Sequence, residues 1–228
     1  MNIVSRQSLL VVMTAIIAIH AAAQVDYERI INADSEPANW LTYNGGYDSQ
    51  RHSSLTQINR ENVKALKLEW MLQNQVFGAW QSNPIVVDGI MYITQRPNDI
   101  MAIDPVTGRA FWIYRHTPDP AAQVCCGANN RGVAILGDSL FMGTLDGRLI
   151  AVDRINGKEL WNIEVGPVDL AYSVTMAPLV VKDKVIVGVG GGEYGIRGYI
   201  AAYDAITGEE AWKFYTIPGP GEPGHETW

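Results

Sequence analysis

Residues 88–114 read DGIMYITQRPNDIMAIDPVTGRAFWIY, and the pattern returns twice, as GDSLFMGTLDGRLIAVDRINGKELWNI over 137–163 and KDKVIVGVGGGEYGIRGYIAAYDAITGEEAWKF over 182–214. Each copy carries Ala-x-Asp-x-x-[Thr/Asn]-Gly-x-x-x-Trp. The Asp stands at 104, 153 and 204, the Gly at 108, 157 and 208, and the Trp at 112, 161 and 212, so the period is 49 and then 51 residues. A repeat of that length marks a propeller or an array. Within a copy, IMYIT and LIAVD alternate large apolar with smaller or polar residues, the period of a half-buried strand. Asp88-Gly89 reads as a tight hairpin turn. Asp-x-x-[Thr/Asn]-Gly reads as a longer turn closing a second hairpin, with Gly supplying a positive φ. Two hairpins make a four-stranded blade, and the predicted fold is an all-β propeller with about three blades in this chain. One blade cannot bury its own faces, so the repeated Trp is expected to pack between neighbouring blades. The main helix candidate is Asn59–Glu69, NRENVKALKLE, or else a turn before a strand.

Around the repeats, residues 1–23 have the layout of a secretory leader. Arg6 precedes the apolar run Leu9–Ile19, and Ala21-Ala22-Ala23 follows, with cleavage expected before Gln24. The run falls short of the ~20 apolar residues that span a bilayer. A periplasmic location follows as the expectation, in a compartment that permits disulfides. The whole chain has 17 basic and 24 acidic residues; removing Arg6 with the leader leaves 16 basic ones and a net charge of −8. That balance argues against a nucleic-acid partner and gives no support for an anionic membrane surface. The four histidines, at 20, 52, 116 and 225, have no zinc-like spacing. Residues 24–80 are expected to form an N-terminal segment of the propeller, 81–216 the three blades, and 217–228 the start of a further segment. Three blades are fewer than the ~4–8 of a closed ring, so the chain is expected to be a fragment.

Both cysteines stand side by side in VCCGANNRGV, residues 124–133. A bridge between them would close a tight ring and enclose no loop, so it could not staple distant segments. Two free thiols, or pairing with cysteines elsewhere, are the other readings of the residues alone. Arg131 follows in a polar segment, where its planar fork suits a carboxylate or phosphate; a surface ion pair is the alternative. In the third copy the chain widens to VGVGGGEYGIRGY. Gly190, Gly191 and Gly192 allow close backbone approach to a ligand, and Glu193 offers a hard carboxylate suited to calcium. A plain glycine-rich turn would look the same. The run is not Gly-x-Gly-x-x-Gly in a βαβ setting, which argues against a dinucleotide site.

Taken together, the Cys pair with Arg five residues on, VTMAPLVVKDKVIVG, GGGEYGIRGY and the Trp repeat resemble the pyrroloquinoline-quinone (PQQ)-dependent alcohol dehydrogenases. The likeness runs from NWLTYNGGYDSQRHSSLTQIN to the end of the chain. It implies an eight-bladed propeller with the quinone near its axis. It implies that Cys125 and Cys126 form a vicinal disulfide against one face of the cofactor. It further implies that Arg131 and Thr175 bind cofactor oxygens, that Gly190, Gly191 and Gly192 form the loop beside it, and that Glu193 is a ligand of a calcium or lanthanide ion. Gln81 stands where the family often has Glu contacting the quinone, a contact that Gln can make by hydrogen bonding but without charge, and Gly190 stands where some members have Ser. The family's catalytic Asp, a cation-binding Asn, a stacking Trp and a second quinone-binding Arg have no counterpart here and are expected further along an intact protein. The implied activity is oxidation of a small alcohol to an aldehyde, with electrons passing to a cytochrome c-type acceptor, and this chain alone is expected to be inactive. A quinone-dependent sugar dehydrogenase and a non-catalytic propeller of the outer-membrane assembly type share the repeats. The Cys-Cys and Gly-Gly-Glu features favour the alcohol branch.

Overall fold

The computed structural model describes residues 24–74 and 76–227, so the leader lies outside the described residues. Strands β1 (Ile85–Val87), β2 (Ile90–Gln95), β3 (Asp99–Ile103) and β4 (Ala110–Arg115) form the first blade. The second holds β5 (Ala134–Leu136), β6 (Ser139–Gly143), β7 (Arg148–Asp153) and β8 (Glu159–Glu164). The third holds β9 (Leu179–Val181), β10 (Lys184–Gly188), β11 (Tyr199–Asp204) and β12 (Glu210–Tyr215). Each is an antiparallel sheet with its strands in sequence order.

Local chemistry sets the turns. Asp88 and Gly89 take φ of 51° and 79°, the left-handed pair that matches the twist of a two-residue hairpin. In the longer turn, Asp104 Oδ1 accepts the Val106 N–H at 2.9 Å, and Asp153 and Asp204 do the same for Ile155 and Ile206 at 2.8 and 3.0 Å. Gly108, Gly157 and Gly208 close these turns at φ of 72°, 73° and 75°.

The repeated Trp joins each blade to the next. Trp112 Nε1 donates to Arg154 O and Trp161 Nε1 to Ala205 O, both at 3.2 Å. Each acceptor directly follows the turn Asp of the following blade. The indole lies on the turn glycine as well: a Cβ at Gly157 would stand 2.7 Å from Trp112 Cε3, and one at Gly208 3.2 Å from the Trp161 ring. Glycine therefore meets two demands at once, positive φ and room for the ring. Trp70 makes the same joint one blade earlier. Its Nε1 donates to Pro105 O at 2.9 Å and its ring covers Gly108. Residues 68–73, LEWMLQ, align with AFWIYR of β4 and ELWNIE of β8, which makes Trp70 a further member of the series that the repeat pattern did not reveal. Trp212, in the matching place on β12, is 45% exposed.

One apolar core runs through all three blades, with Tyr92, Leu140, Phe141, Leu149, Val185 and Ala201 fully buried. Each large side chain of this kind contributes about 1.5–3 kcal/mol of burial. Phe141 packs on Trp161 at a centroid distance of 5.7 Å, so the core and the joints are continuous. The N-terminal segment lies along the inner strands. Helix α1 (Tyr27–Ile31) is capped by Asp26, Trp40 pairs with Val86, and Val25 pairs with Gly137.

The helix expected over Asn59–Glu69 is reduced to one 3-10 turn, Val63–Ala65. Asn59 Oδ1 instead accepts the N–H groups of Glu61 and Asn62, at 3.1 and 3.2 Å. Leu66 and Leu68 are 60% and 74% exposed, so no buried face stabilises a longer helix. Among the described residues, no helix is long and apolar enough to cross a membrane.

Candidate functional site

Strands alternate in direction, so every connection that follows an even-numbered strand lies at the same end of the molecule. Three such connections build the site: 116–133 between blades one and two, 165–178 between blades two and three, and 189–198 inside blade three. They are laced together through their backbones. Asn83 N donates to Arg131 O at 3.1 Å, and Arg131 N donates to Thr175 O at 3.2 Å. Ser173 and Gly190 exchange both backbone bonds, at 3.1 and 2.8 Å.

The lacing encloses a cavity of about 250 Å³ lined by Gln123, Val124, Cys125, Cys126, Gly127, Asn129, Arg131, Ser173, Thr175, Gly190, Gly191, Glu193 and Tyr194. Cys125 and Cys126 are bridged, with their Cα atoms 3.8 Å apart, which settles the pairing that the sequence left open. Their loop is held from behind: Asn129 Nδ2 donates to Cys126 O at 2.8 Å, and Gly127 turns the chain at φ +86°. Arg131 Nη1 donates to the Thr175 hydroxyl at 2.8 Å and to Thr175 O at 3.2 Å. Its remaining side-chain N–H groups have no protein partner among the described residues.

Glu193 sits in a 3-10 turn, Gly192–Tyr194, flanked by Gly191 and Gly195 at φ +127° and +77°. A carboxylate oxygen of Glu193 and the two sulfurs all lie within 4.8 Å of one another. Bridged sulfurs are not thiolates, so the carboxylate is the one hard donor of this group. Gly191 has no room for a side chain, since a Cβ there would stand 2.4 Å from Ala171 O. The predicted residues Cys125, Cys126, Arg131, Thr175, Gly190, Gly191 and Glu193 thus meet on one cavity. Gly192 begins the turn behind Glu193 and is off the lining, as is Gln81, which is exposed two residues before Asn83. Ser173, Asn129, Gln123 and Tyr194 line the cavity without having been singled out. Ser173 could have been found: in extended Ser-Val-Thr it shares a side of the chain with Thr175.

A contact between His116 and the buried Asp146 anchors the connection that carries the cysteines. His116 Nε2 lies 3.1 and 3.0 Å from the two Asp146 oxygens, and Asp146 also accepts from the Thr144 hydroxyl at 2.5 Å and Asp119 N at 3.1 Å. Burial alone would raise the Asp146 carboxyl, but these hydrogen bonds outweigh it and hold it at about 2. A carboxyl held below its ordinary value of about 3.9 stabilises the fold above that pH and loses the contribution as pH falls towards 2. The shift corresponds to about 2 kcal/mol. Asp146→Asn in the full-length protein is expected to lower stability by about that amount at pH 5, and to flatten the fall between pH 4 and 2. Urea unfolding across this range checks it; parallel curves for the two proteins would show that the pair contributes nothing.

Residues 40–228 match the family model for the PQQ glucose/ethanol/alcohol dehydrogenase β-propeller domain. A quinohemoprotein alcohol dehydrogenase of Pseudomonas putida, ADH-IIG, is 44% identical over 209 residues, which cover 90% of this chain and 29% of that protein. A lanthanide-dependent methanol dehydrogenase of Methylacidiphilum fumariolicum is 40% identical over 201 residues, 86% of this chain and 33% of that protein. The structure of the quinohemoprotein alcohol dehydrogenase from Comamonas testosteroni superposes with a TM-score of 0.82 at 42% identity, over 90% of this chain and 32% of that one. The chain spans about a third of the length of the relatives it matches.

Proposed function

This chain belongs to the PQQ β-propeller family of glucose, ethanol and alcohol dehydrogenases, and on that premise we propose that its cavity is part of a quinone site in a protein that oxidises small alcohols to aldehydes. The observation that carries the reading is the convergence of a vicinal disulfide, a guanidinium–hydroxyl pair and a lone carboxylate on one cavity. The donor set fits the group. Arg131 and Thr175 suit carboxylates of an anionic quinone, the Cys125–Cys126 bridge offers a compact wall for a flat ring, and Glu193 suits a hard cation, calcium or a lanthanide. When bound, such a quinone supplies a two-electron acceptor for the alcohol carbon, with the cation as Lewis acid at its carbonyl.

Within this reading the chain's own residues bind and orient rather than transfer protons. Arg131, already fixed by two bonds to Thr175, presents its remaining donors without reorganisation. The Ser173–Gly190 lacing holds the glycine loop, and with it Glu193, against the cysteine loop. The leader pattern over residues 1–23 supports export to the periplasm, where a cytochrome would receive the electrons. The test uses the full-length protein with added quinone and either calcium or a lanthanide. Reduction of an artificial acceptor dye with short primary alcohols is expected. No reduction with any of them, in the presence of both kinds of cation, would overturn the reading.

A further inference from the structure

We propose that Arg96 is a positioning residue for this cavity, tying the Cys125–Cys126 loop to the Phe77–Gln81 segment; the inference rests on the quinone reading above. Arg96 stands on the hairpin between β2 and β3, at the same end of the molecule as the site and off the cavity lining. Its Nε donates to Ala128 O at 2.9 Å and its Nη1 to Phe77 O at 2.8 Å. One planar cation therefore bonds the backbone of two segments that are about fifty residues apart in sequence. Ala128 is two residues from Cys126, and Phe77 is four residues from Gln81.

The surroundings are shaped for this guanidinium. A Cβ at Gly78 would stand 1.4 Å from Arg96 Nη1, and one at Gly127 3.4 Å from Nη2. Both glycines have positive φ, +121° and +86°, so the chain bends around the group on both sides. A charged donor on a backbone carbonyl makes one of the stronger hydrogen bonds, and the fork geometry fixes direction as well as distance. Both cysteines and Gly127 are exposed, and next to them the loop is held by the Asn129 bond to Cys126 O and the buried Asn130 bond to Gly143 O at 2.8 Å. Without Arg96, the disulfide wall would remain covalently intact but lose its fixed place over the cavity.

The test compares the full-length protein with Arg96→Ala and Arg96→Lys by titration with quinone in the presence of calcium, alongside melting temperature. A second readout needs no quinone: the rate at which a small phosphine reduces the Cys125–Cys126 bridge, followed by thiol labelling. Arg96→Ala is expected to weaken quinone binding about ten- to a hundredfold and to speed reduction, with Arg96→Lys in between, because an ammonium lacks the fork. Gly78→Ala pushes a methyl into the guanidinium from the other side and is expected to reproduce both effects with Arg96 present. Unchanged quinone affinity and reduction rate in the variants, with the wild type binding normally, would overturn the proposal. A wild type that binds no quinone would overturn the site reading itself.

Discussion

Glu193→Ala in the full-length protein is expected to abolish cation-dependent alcohol oxidation, with kcat/KM falling by ~10³-fold or more while the blades stay folded. The size follows from what a Lewis acid supplies, several kcal/mol of stabilisation for developing charge, and each ~1.4 kcal/mol is tenfold in rate. The fold is spared because the Glu193 side chain is exposed and has no hydrogen-bond or ion-pair partner among the described residues. Its turn is shaped by Gly191 and Gly195 rather than by the carboxylate. Calcium or lanthanide titration, with circular dichroism as the control, checks both halves. Unchanged cation affinity would show that Glu193 is only a surface acid.

The second large effect is expected from Cys125→Ser with Cys126→Ser. A bridge between neighbours encloses no loop, so its removal leaves the unfolded chain no freer, and the melting temperature should move by a few degrees at most. Both cysteines are exposed, so no core contact is lost either. The cost should fall on quinone retention and turnover, because the flat ligand loses its close-packed neighbour. A large drop in melting temperature with normal quinone affinity would assign the pair a structural role instead.

The blades were legible because their determinants are local. An Asp that caps its own turn, a Gly at positive φ and a Trp four residues later can all be read along one strand of text. Trp70 escaped that reading because the Asp-x-x-x-Gly turn that precedes the other Trp residues is absent before it, although it docks on Gly108 as they dock on theirs. The stretch 59–69 misled for the opposite reason: its helix-forming residues meet no buried surface. At the site, Cys125, Cys126, Arg131, Thr175 and the Gly-Gly-Glu run were visible through their chemistry and the family likeness. Arg96 and Ser173 bond backbone atoms of other loops, and which loops lie side by side is a property of the folded blades; Asn129 folds back on Cys126 O within its own loop. Gln81 lies exposed and off the lining of this cavity.

The Trp-to-turn joint has a direction. Trp70, Trp112 and Trp161 each reach forward to the next blade, and none receives a matching group in return. Such a head-to-tail contact carries no record of how many units have come before, and it closes into a ring only when the accumulated rotation reaches a full turn. The joint is nearly the same at all three positions, so it fastens the rim without counting blades. The wedges narrow along the three-residue inner strands β1, β5 and β9. Ile85, Val87, Ala134, Ile135 and Val180 from these strands all lie in the one buried core. Fastening at the rim and the number of blades are in this way separate properties of the fold.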